Sequence, residues 1–234
     1  MGEHVGVVGS LWRYPVKSLL GEALEHAAVE TRGLAGDRLY AVRNPAGKFG
    51  SGKTTRRFVQ MEGLFLLRAR LEGDAPVIGF PDGTLLHADD PRVHEALSTH
   101  VGETVTLARE ADVSHFDAAP IHLVTTAALR SLGGTHGAVD PRRFRPNLVI
   151  ACDGSAPVED GWLGRELAVG DEVRLRVTAR TERCVMVARE QQDLPEDPAL
   201  HRSIVTRNEN RLGVYAIVLR PGVVRAGAQV GITG

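Results

Sequence analysis

Short apolar segments separated by glycine, proline, asparagine and aspartate recur along most of this chain. This spacing is typical of many short β-strands joined by turns. Residues 5–11 are predicted to form the first strand, and residues 39–42 a strand that enters a turn at 44–47. Residues 173–178 alternate between apolar and polar side chains, which predicts a strand with one buried face. Three further strands are predicted, at 148–151, 184–188 and 214–219.

Helical segments are fewer, and three are predicted, at 61–71, 90–100 and 125–132. The first is apolar enough to be a buried helix. Asp90 is the expected N-cap of the second, with Pro91 at its first helical position. Thr125 or Thr126 is expected to cap the third, and the glycine pair at 133–134 to end it. Many strands with few helices predict a β-rich α+β fold built around β-barrels.

The chain has 234 residues, which is enough for one good hydrophobic core or two small ones. Its composition changes near residues 108–118, where a charged segment gives way to the apolar run that starts at Ile121. We therefore predict a domain boundary there, with one domain over residues 1–110 and a second over residues 111–234.

The formal net charge is −1, so the sequence lacks the strongly basic character of most nucleic-acid-binding domains. No apolar stretch approaches the roughly 18 residues of a membrane-spanning helix, and the N-terminus does not resemble a secretory signal. We therefore expect a cytoplasmic protein without a nucleic-acid or membrane partner. In that compartment Cys152 and Cys184 are expected to be reduced thiols. Two cysteines are too few for a four-thiolate zinc site or an iron–sulfur cluster.

Four polar clusters carry candidate binding chemistry. In the first, Lys17 and Ser18 follow the first strand and offer a positive charge and a hydroxyl donor to an anion. The alternative for this cluster is a solvated strand end. In the second, Arg38 stands at the entry to the strand 39–42, where its guanidinium either binds a phosphate or pairs with Asp37.

The third cluster spans residues 140–147, where Arg143 and Arg145 precede the strand 148–151. Guanidinium groups match phosphate geometry through two-point contacts, so this is a candidate anion pocket, with a solvated charged loop as the alternative. The fourth cluster holds Arg180 and Arg183. Together the clusters supply enough positive charge for a ligand with one or two phosphates. No glycine-rich phosphate loop is present, because residues 47–54 resemble one only superficially.

Cys184 directly follows Arg183, and a neighbouring positive charge favours the thiolate, which is the form that attacks or binds metals. The alternative is a small buried hydrophobic residue on the strand 184–188. Neighbours on a strand point to opposite faces, so Arg183 and Cys184 share a face only where the strand bends. The local sequence leaves both interpretations open.

The order of these clusters resembles the MOSC family. The motifs are Tyr-Pro-Val-Lys-Ser at 14–18, Gly-Leu-Ala-Gly-Asp-Arg at 33–38, Arg-Phe-Arg-Pro-Asn at 143–147, Glu-Arg-Cys at 182–184 and Gly-Val-Tyr at 213–215. The resemblance covers residues 6–232 and implies a MOSC β-barrel with an N-terminal β-barrel-like domain and a few peripheral helices. Members bind the molybdenum cofactor. They include the mitochondrial amidoxime-reducing component, bacterial relatives that reduce N-hydroxylated compounds, and the C-terminal domain of molybdenum cofactor sulfurases.

By this resemblance the chain is expected to bind the molybdenum cofactor, a Mo-molybdopterin, with Cys184 as the metal ligand and a catalytic residue. Asp117 resembles the acidic residue near the metal and is the implied proton donor, with bound water as the alternative. Basic residues suit the phosphate of the pterin. The implied cofactor-binding residues are Lys17, Ser18, Arg38, Arg145, Asn147, Arg183 and Tyr215.

The resemblance implies an oxidoreductase that reduces N-hydroxylated small molecules. Its electrons would come from a separate donor protein, of the ferredoxin or flavin reductase kind. Two alternatives stay open: a sulfur carrier or sulfurtransferase with a persulfide on Cys184, and a non-catalytic carrier of the cofactor. Residues 56–61 depart from the Thr-x-Arg-Gln run that is usual in relatives, so this part of the pocket has no assigned role.

Overall fold

The computed structural model describes residues 2–133 and 139–233. Within them are three α-helices, α1 (Val93–Val101), α2 (Thr126–Ser131) and α3 (Pro198–Asn208), and four 3-10 helices, at Leu64–Leu66, Pro141–Phe144, Val158–Trp162 and Val185–Ala188. The same residues form nineteen strands: β1 (Glu3–Arg13), β2 (Val16–Lys17), β3 (Glu22–Leu24), β4 (His26–Glu30), β5 (Gly33–Leu34), β6 (Tyr40–Arg43), β7 (Phe49–Ser51), β8 (Phe58–Gln60), β9 (Arg68–Glu72), β10 (Ala75–Gly79), β11 (Leu85–His87), β12 (Thr106–Arg109), β13 (Ile121–Thr125), β14 (Leu148–Ala151), β15 (Glu166–Val169), β16 (Val173–Glu182), β17 (Arg211–Arg220), β18 (Gly222–Arg225) and β19 (Gln229–Ile232).

Seven strands close into a barrel in the order β14-β13-β17-β16-β15-β19-β1, and the pairing of β1 with β14 completes the ring. Neighbouring strands are antiparallel except for β13 and β14, which are parallel. The sequence of β16 explains its place, because Val173, Leu175 and Val177 are buried and the residues between them are more exposed. Its apolar face therefore packs into the barrel core, which also contains Leu11 and Trp162.

The residues between β3 and β13 build most of a second unit with its own core. One sheet has the order β12-β6-β7-β8, with β2 beside β6, and a smaller sheet has the order β11-β10-β9. Val93 and Leu97 of α1 pack into this core. A third sheet, β18-β4-β5, packs against the barrel, because Ala27, Val29 and Val224 lie in the barrel core. We call the unit formed by the first two of these sheets, α1 and the segments that connect them the N-terminal unit.

The first strand of the chain lies in the barrel with strands from the second half. β1 pairs with β14 and β19, and the chain then leaves the barrel to build the N-terminal unit. The predicted division into residues 1–110 and 111–234 stays a prediction. β1 belongs to the first of these segments but pairs with strands of the second.

The β-rich α+β fold is confirmed, and so are most of the predicted elements. Thr125 is the N-cap of α2, where its Oγ1 accepts a hydrogen bond of 3.0 Å from the backbone N–H of Ala128. Gly133 follows this helix, whereas Gly134 lies outside the described residues. The predicted strands at 5–11, 39–42, 148–151, 173–178 and 214–219 correspond to β1, β6, β14, β16 and β17.

The predicted helix over residues 61–71 is wrong. Gly63 has a φ of 81°, in the left-handed region, and only a single 3-10 turn at Leu64–Leu66 follows it. The chain then enters β9, whose sequence Arg-Ala-Arg-Leu-Glu alternates between polar and apolar side chains. This period of two favours a strand over a helix.

The second predicted helix starts later than expected. Arg92 and not Asp90 is the N-cap of α1, and Pro91 precedes the helix. Asp90 instead accepts a hydrogen bond of 2.9 Å from the backbone N–H of Arg92, which forms a turn ahead of the helix.

The predicted strand over residues 184–188 is also wrong, because β16 ends at Glu182 and residues 185–188 form a 3-10 helix. Val187 packs with Leu200 and Ile204 of α3 in a third cluster of buried residues. A short apolar run has the same composition in a strand and in a buried helical turn, so the sequence pattern did not distinguish them.

Candidate functional site

A cavity of about 110 Å³ lies where the barrel meets the N-terminal unit. Its lining holds five cationic side chains and two carboxylates, so positive charge prevails. Of the nine predicted site residues, Lys17 and Ser18 are buried beside the cavity and do not line it. The other seven line it directly: Arg38, Asp117, Arg145, Asn147, Arg183, Cys184 and Tyr215. The structure thus brings together residues from distant parts of the sequence.

Three of the predicted residues have left-handed backbone conformations. The φ angles are 69° for Ser18, 51° for Arg38 and 55° for Arg145. This conformation costs a non-glycine residue roughly 1–2 kcal/mol and persists where surrounding contacts hold it. The Arg38 N–H donates to the Tyr14 carbonyl at 2.7 Å, and the Ser18 hydroxyl donates to the Gly50 carbonyl at 2.8 Å. Such strain often accompanies functional sites.

Arg38 is held by the fully buried carboxylate of Asp37. Its Nη1 donates to Asp37 Oδ2 at 2.5 Å, and Asp37 Oδ1 accepts from the Tyr14 N–H at 2.8 Å. The pairing with Asp37 that the sequence suggested is therefore present. Burial alone would lower the pKa of Arg38, but the attraction of Asp37 outweighs it and raises the pKa. Arg38 Nη2 also donates to the Arg145 carbonyl at 3.1 Å.

Arg145 lines the cavity and has a donor that no protein group uses. Its Nη2 donates to the Leu19 carbonyl, while its Nη1 is buried without a hydrogen-bond partner in the protein. Burial lowers the pKa of this guanidinium to about 10, so it stays charged at neutral pH. A buried cationic donor without a partner is costly, and an anion bound in the cavity would satisfy it.

Asn147 joins the barrel strands at the rim of the cavity. Its Oδ1 accepts from the His122 N–H at 3.1 Å, and its Nδ2 donates to the Trp12 carbonyl at 3.3 Å. Asn147 Oδ1 also lies 3.5 Å from Arg38 Nη1. The amide therefore bridges β1 and β13 and positions Arg38.

Lys17 and Asp117 form an ion pair within the N-terminal unit, beside the cavity. The buried Lys17 Nζ donates to Asp117 Oδ1 at 2.7 Å and to the His115 carbonyl at 2.9 Å. Partial burial raises the pKa of Asp117, whose side chain stays 55% exposed, but attraction to Lys17, with Arg38 and Lys53, outweighs this and lowers the pKa to about 2. A carboxylate ionised at neutral pH has no proton to give. The contact with Lys17 therefore makes Asp117 an ion-pair partner, and its role as the proton donor stays a prediction.

The orientation of the Arg183 side chain is fixed by contacts with residues other than Cys184. Its Nε donates to the Leu212 carbonyl at 2.8 Å, its Nη1 to the Phe144 carbonyl at 3.3 Å, and its Nη2 lies 2.5 Å from His122 Nε2. Burial, followed by the charge of Arg183, holds the pKa of His122 well below its ordinary value. The neutral imidazole therefore accepts a hydrogen bond from Arg183 at Nε2. The positive charge beside Cys184 is thus anchored to the barrel.

Cys184 lies half-buried in the cavity wall, between the end of β16 and the 3-10 helix at Val185–Ala188. Both Cys184 and Cys152 are free thiols, as predicted. Tyr215 of β17 lines the cavity nearby, and its ring centroid is 5.4 Å from that of His122. Burial raises the pKa of the Tyr215 hydroxyl, so this group keeps its proton. Among the described residues, no group of three His, Cys, Asp or Glu side chains could hold a metal ion.

Two family models match the chain. The model of the MOSC domain matches residues 98–231, and the model of the MOSC N-terminal beta barrel domain matches residues 5–119. The chain belongs to the MOSC family. MOSC domains occur in proteins that bind the molybdenum cofactor. No curated protein matches this MOSC chain significantly.

A solved structure that covers nearly the whole chain shares its fold. The crystal structure of the YuaD protein from Bacillus subtilis is 14% identical, covers 99% of this chain and 98% of its own, and gives a TM-score of 0.54. The crystal structure of YiiM from Geobacillus stearothermophilus is 20% identical, covers 50% of this chain and 55% of its own, and gives a TM-score of 0.40. At these identities the likeness to YuaD shows the fold alone.

Two polar residues that line the cavity, His122 and Lys53, were not among the predicted site residues. His122 is a polar residue inside the buried run of β13, and this position was the signal that could have indicated it. Lys53 follows β7 in the segment that only superficially resembled a phosphate loop, and it lines the cavity. Conversely, Arg180 is paired with Asp160 at 2.8 Å and does not line the cavity. No helix of the described residues is long and apolar enough to cross a membrane.

Proposed function

We propose that this MOSC protein binds the molybdenum cofactor in the cavity and reduces N-hydroxylated small molecules. The observation that carries the proposal is the presence, in one cavity, of a half-buried thiol at Cys184 and of an unpartnered cationic donor at Arg145. A thiolate is a soft metal ligand, and a guanidinium suits a phosphate. By their chemistry, the thiol suits the metal and the guanidinium suits the phosphate of a metal-bearing pterin phosphate.

The residues that would hold the cofactor are those with cationic or amide donors. Arg145 would bind the phosphate through Nη1, because Nη2 is already engaged by the Leu19 carbonyl. Arg38 and Asn147 would position it, and Lys17 and Ser18 would support the wall behind it. Cys184 would bind the metal. When bound, the cofactor supplies the two-electron redox chemistry that these side chains lack.

Reduction of an N–OH group consumes two electrons and two protons and releases water. Asp117 is ionised in its pair with Lys17, so bound water is the better proton donor. Tyr215 keeps its proton at Oη and offers a hydrogen-bond donor to the substrate. The electrons would come from a separate redox protein of the ferredoxin or flavin reductase kind.

The test uses protein expressed in cells that make the cofactor. Wild type should contain molybdenum, and Cys184→Ser and Arg145→Met should each lower the metal content per chain at least fivefold. Cys152→Ser is the matched control, because Cys152 is also a half-buried free thiol but lies outside this cavity. Benzamidoxime reduction with a chemical reductant should follow the metal content.

Three results would contradict the proposal. If Cys184→Ser reduces benzamidoxime as fast as wild type, the thiol is not the metal ligand. If mass spectrometry finds a persulfide on Cys184 in protein that contains no molybdenum, the sulfur-carrier alternative replaces the reductase. Bound cofactor without turnover of any N-hydroxylated compound would indicate a carrier.

A further inference from the structure

Lys53 is a cavity-lining residue without an assigned role in the family motifs. It lies in the connection between β7 and β8, and this connection is pressed against the segment that follows Cys184. Ser51 Oγ lies 3.6 Å from Met186 Sδ, and a Cβ atom on Gly52 would lie 2.8 Å from Met186 Cγ. The N-terminal unit therefore carries Lys53 to the cavity wall opposite the barrel.

The other cations that line the cavity are mostly committed to protein groups. Arg38 is paired with a buried carboxylate, and Arg143 and Arg183 donate to backbone carbonyls. Only part of Arg145 is free, at Nη1. In the described ranges, Lys53 has neither a hydrogen bond nor an ion pair, and its ammonium lies 5.6 Å from the centroid of the Phe58 ring.

The carboxylates of the cavity do not neutralise Lys53. Asp117 is bonded to Lys17 at 2.7 Å, and it feels Lys53 only as a weaker, longer-range attraction. The other carboxylate, Glu182, is exposed. A half-buried ammonium without a partner is a favourable site for an anion.

We propose that Lys53 binds a negatively charged group of the substrate, so that the preferred substrates are N-hydroxylated compounds that carry a carboxylate. This inference rests on the proposed function. Arg145 Nη1 and the Lys53 ammonium are cavity donors without a hydrogen-bond partner in the described residues, and they belong to different units of the fold. Two separate free cations suit two separate anionic groups, and the first is the phosphate of the cofactor. The second is then the charge on the substrate.

The experiment compares benzamidoxime with 4-carboxybenzamidoxime, which differ by one carboxylate. Wild type should have a KM about tenfold lower for the carboxylate, at similar kcat, because a charge-assisted hydrogen bond contributes to binding. Lys53→Met should abolish this preference, and Lys53→Arg should retain it. Lys48→Met is the matched control, since it removes the same charge from a half-buried lysine near β7 that does not line the cavity.

Two further measurements separate this inference from the proposed function. Calorimetry with the products, benzamidine and 4-carboxybenzamidine, reports binding without turnover. If wild type reduces neither amidoxime, the reductase proposal fails, and calorimetry still decides the role of Lys53. Equal affinity of wild type for the two amidines would overturn the inference. A loss of molybdenum from Lys53→Met, but not from Lys48→Met, would instead assign Lys53 to a second phosphate on the cofactor.

Discussion

Asp37→Asn should destabilise the protein strongly, although the two side chains have nearly the same shape, because it removes a buried negative charge. Asp37 is fully buried, and its Oδ2 accepts from Arg38 Nη1 at 2.5 Å. An asparagine oxygen can still accept the hydrogen bond from the Tyr14 N–H. The interaction that the substitution removes is therefore the ion pair with Arg38. Breaking a buried pair costs about 3–5 kcal/mol because the remaining charge is left uncompensated. Arg38 keeps its bonds to the Arg145 carbonyl and Asn147, so we expect about 3 kcal/mol.

Urea unfolding of the metal-free protein measures this cost. For a chain of this length the expected loss corresponds to a fall in Tm of about 6–12 °C. Glu166→Gln is the matched control, because Glu166 pairs with Arg176 on the surface, where a pair contributes less than about 1 kcal/mol. A loss below about 1 kcal/mol for Asp37→Asn would refute the reasoning, since Arg38 would then not depend on its buried partner.

Three further predictions concern backbone strain and pH. Gly213→Ala should lower Tm by at least about 5 °C, because φ is 78° and the new Cβ would lie 2.5 Å from the Leu123 carbonyl oxygen; an unchanged Tm would contradict this. The pKa of Asp117 falls to about 2 in the folded state, so its pairing with Lys17 stabilises the protein above the ordinary pKa of 3.8. The stability difference between wild type and Asp117→Asn should be constant from pH 5 to 7 and shrink as pH falls from 4 to 2 in urea titrations. Burial, followed by Arg43, lowers the pKa of His115 to about 4, so the neutral form stabilises the fold and stability is lost as pH falls from 6.5 to 4. His115→Gln should show a smaller loss over that window, and an identical pH profile would refute the assignment.

The sequence predicted the barrel strands well, because their alternation reflects a property of each strand alone. Residues 173–178 have one apolar face whatever their surroundings, and in the structure this face packs into the barrel core. The prediction failed at residues 61–71 and 184–188, where short apolar runs fit a helix or a strand equally. There the outcome depends on distant packing, such as that of Val187 against Leu200.

The sequence predicted which residues line much of the cavity, but it did not predict which atoms they contact. Ordered motifs identified Arg38, Arg145 and Cys184, but no local pattern tells which donor of a guanidinium is used. Arg183 was judged by its neighbour in sequence, whereas its partner His122 is 61 positions away. The same limit hid Lys53, because its lack of a partner is a property of the assembled cavity.

The arginines of this cavity do two tasks at once, and this explains why lysine would not replace them. Arg145 donates from Nη2 to the Leu19 carbonyl and keeps Nη1 for a ligand, while Arg38 Nη2 holds the Arg145 carbonyl itself. A planar guanidinium presents several donors in fixed directions, so one edge can fasten the protein while another faces the cavity. A lysine ammonium is a single point charge on a flexible stem and cannot reach both partners. The cost of the left-handed backbone at Arg38 and Arg145 is therefore offset by contacts that fix the cationic wall before any ligand binds.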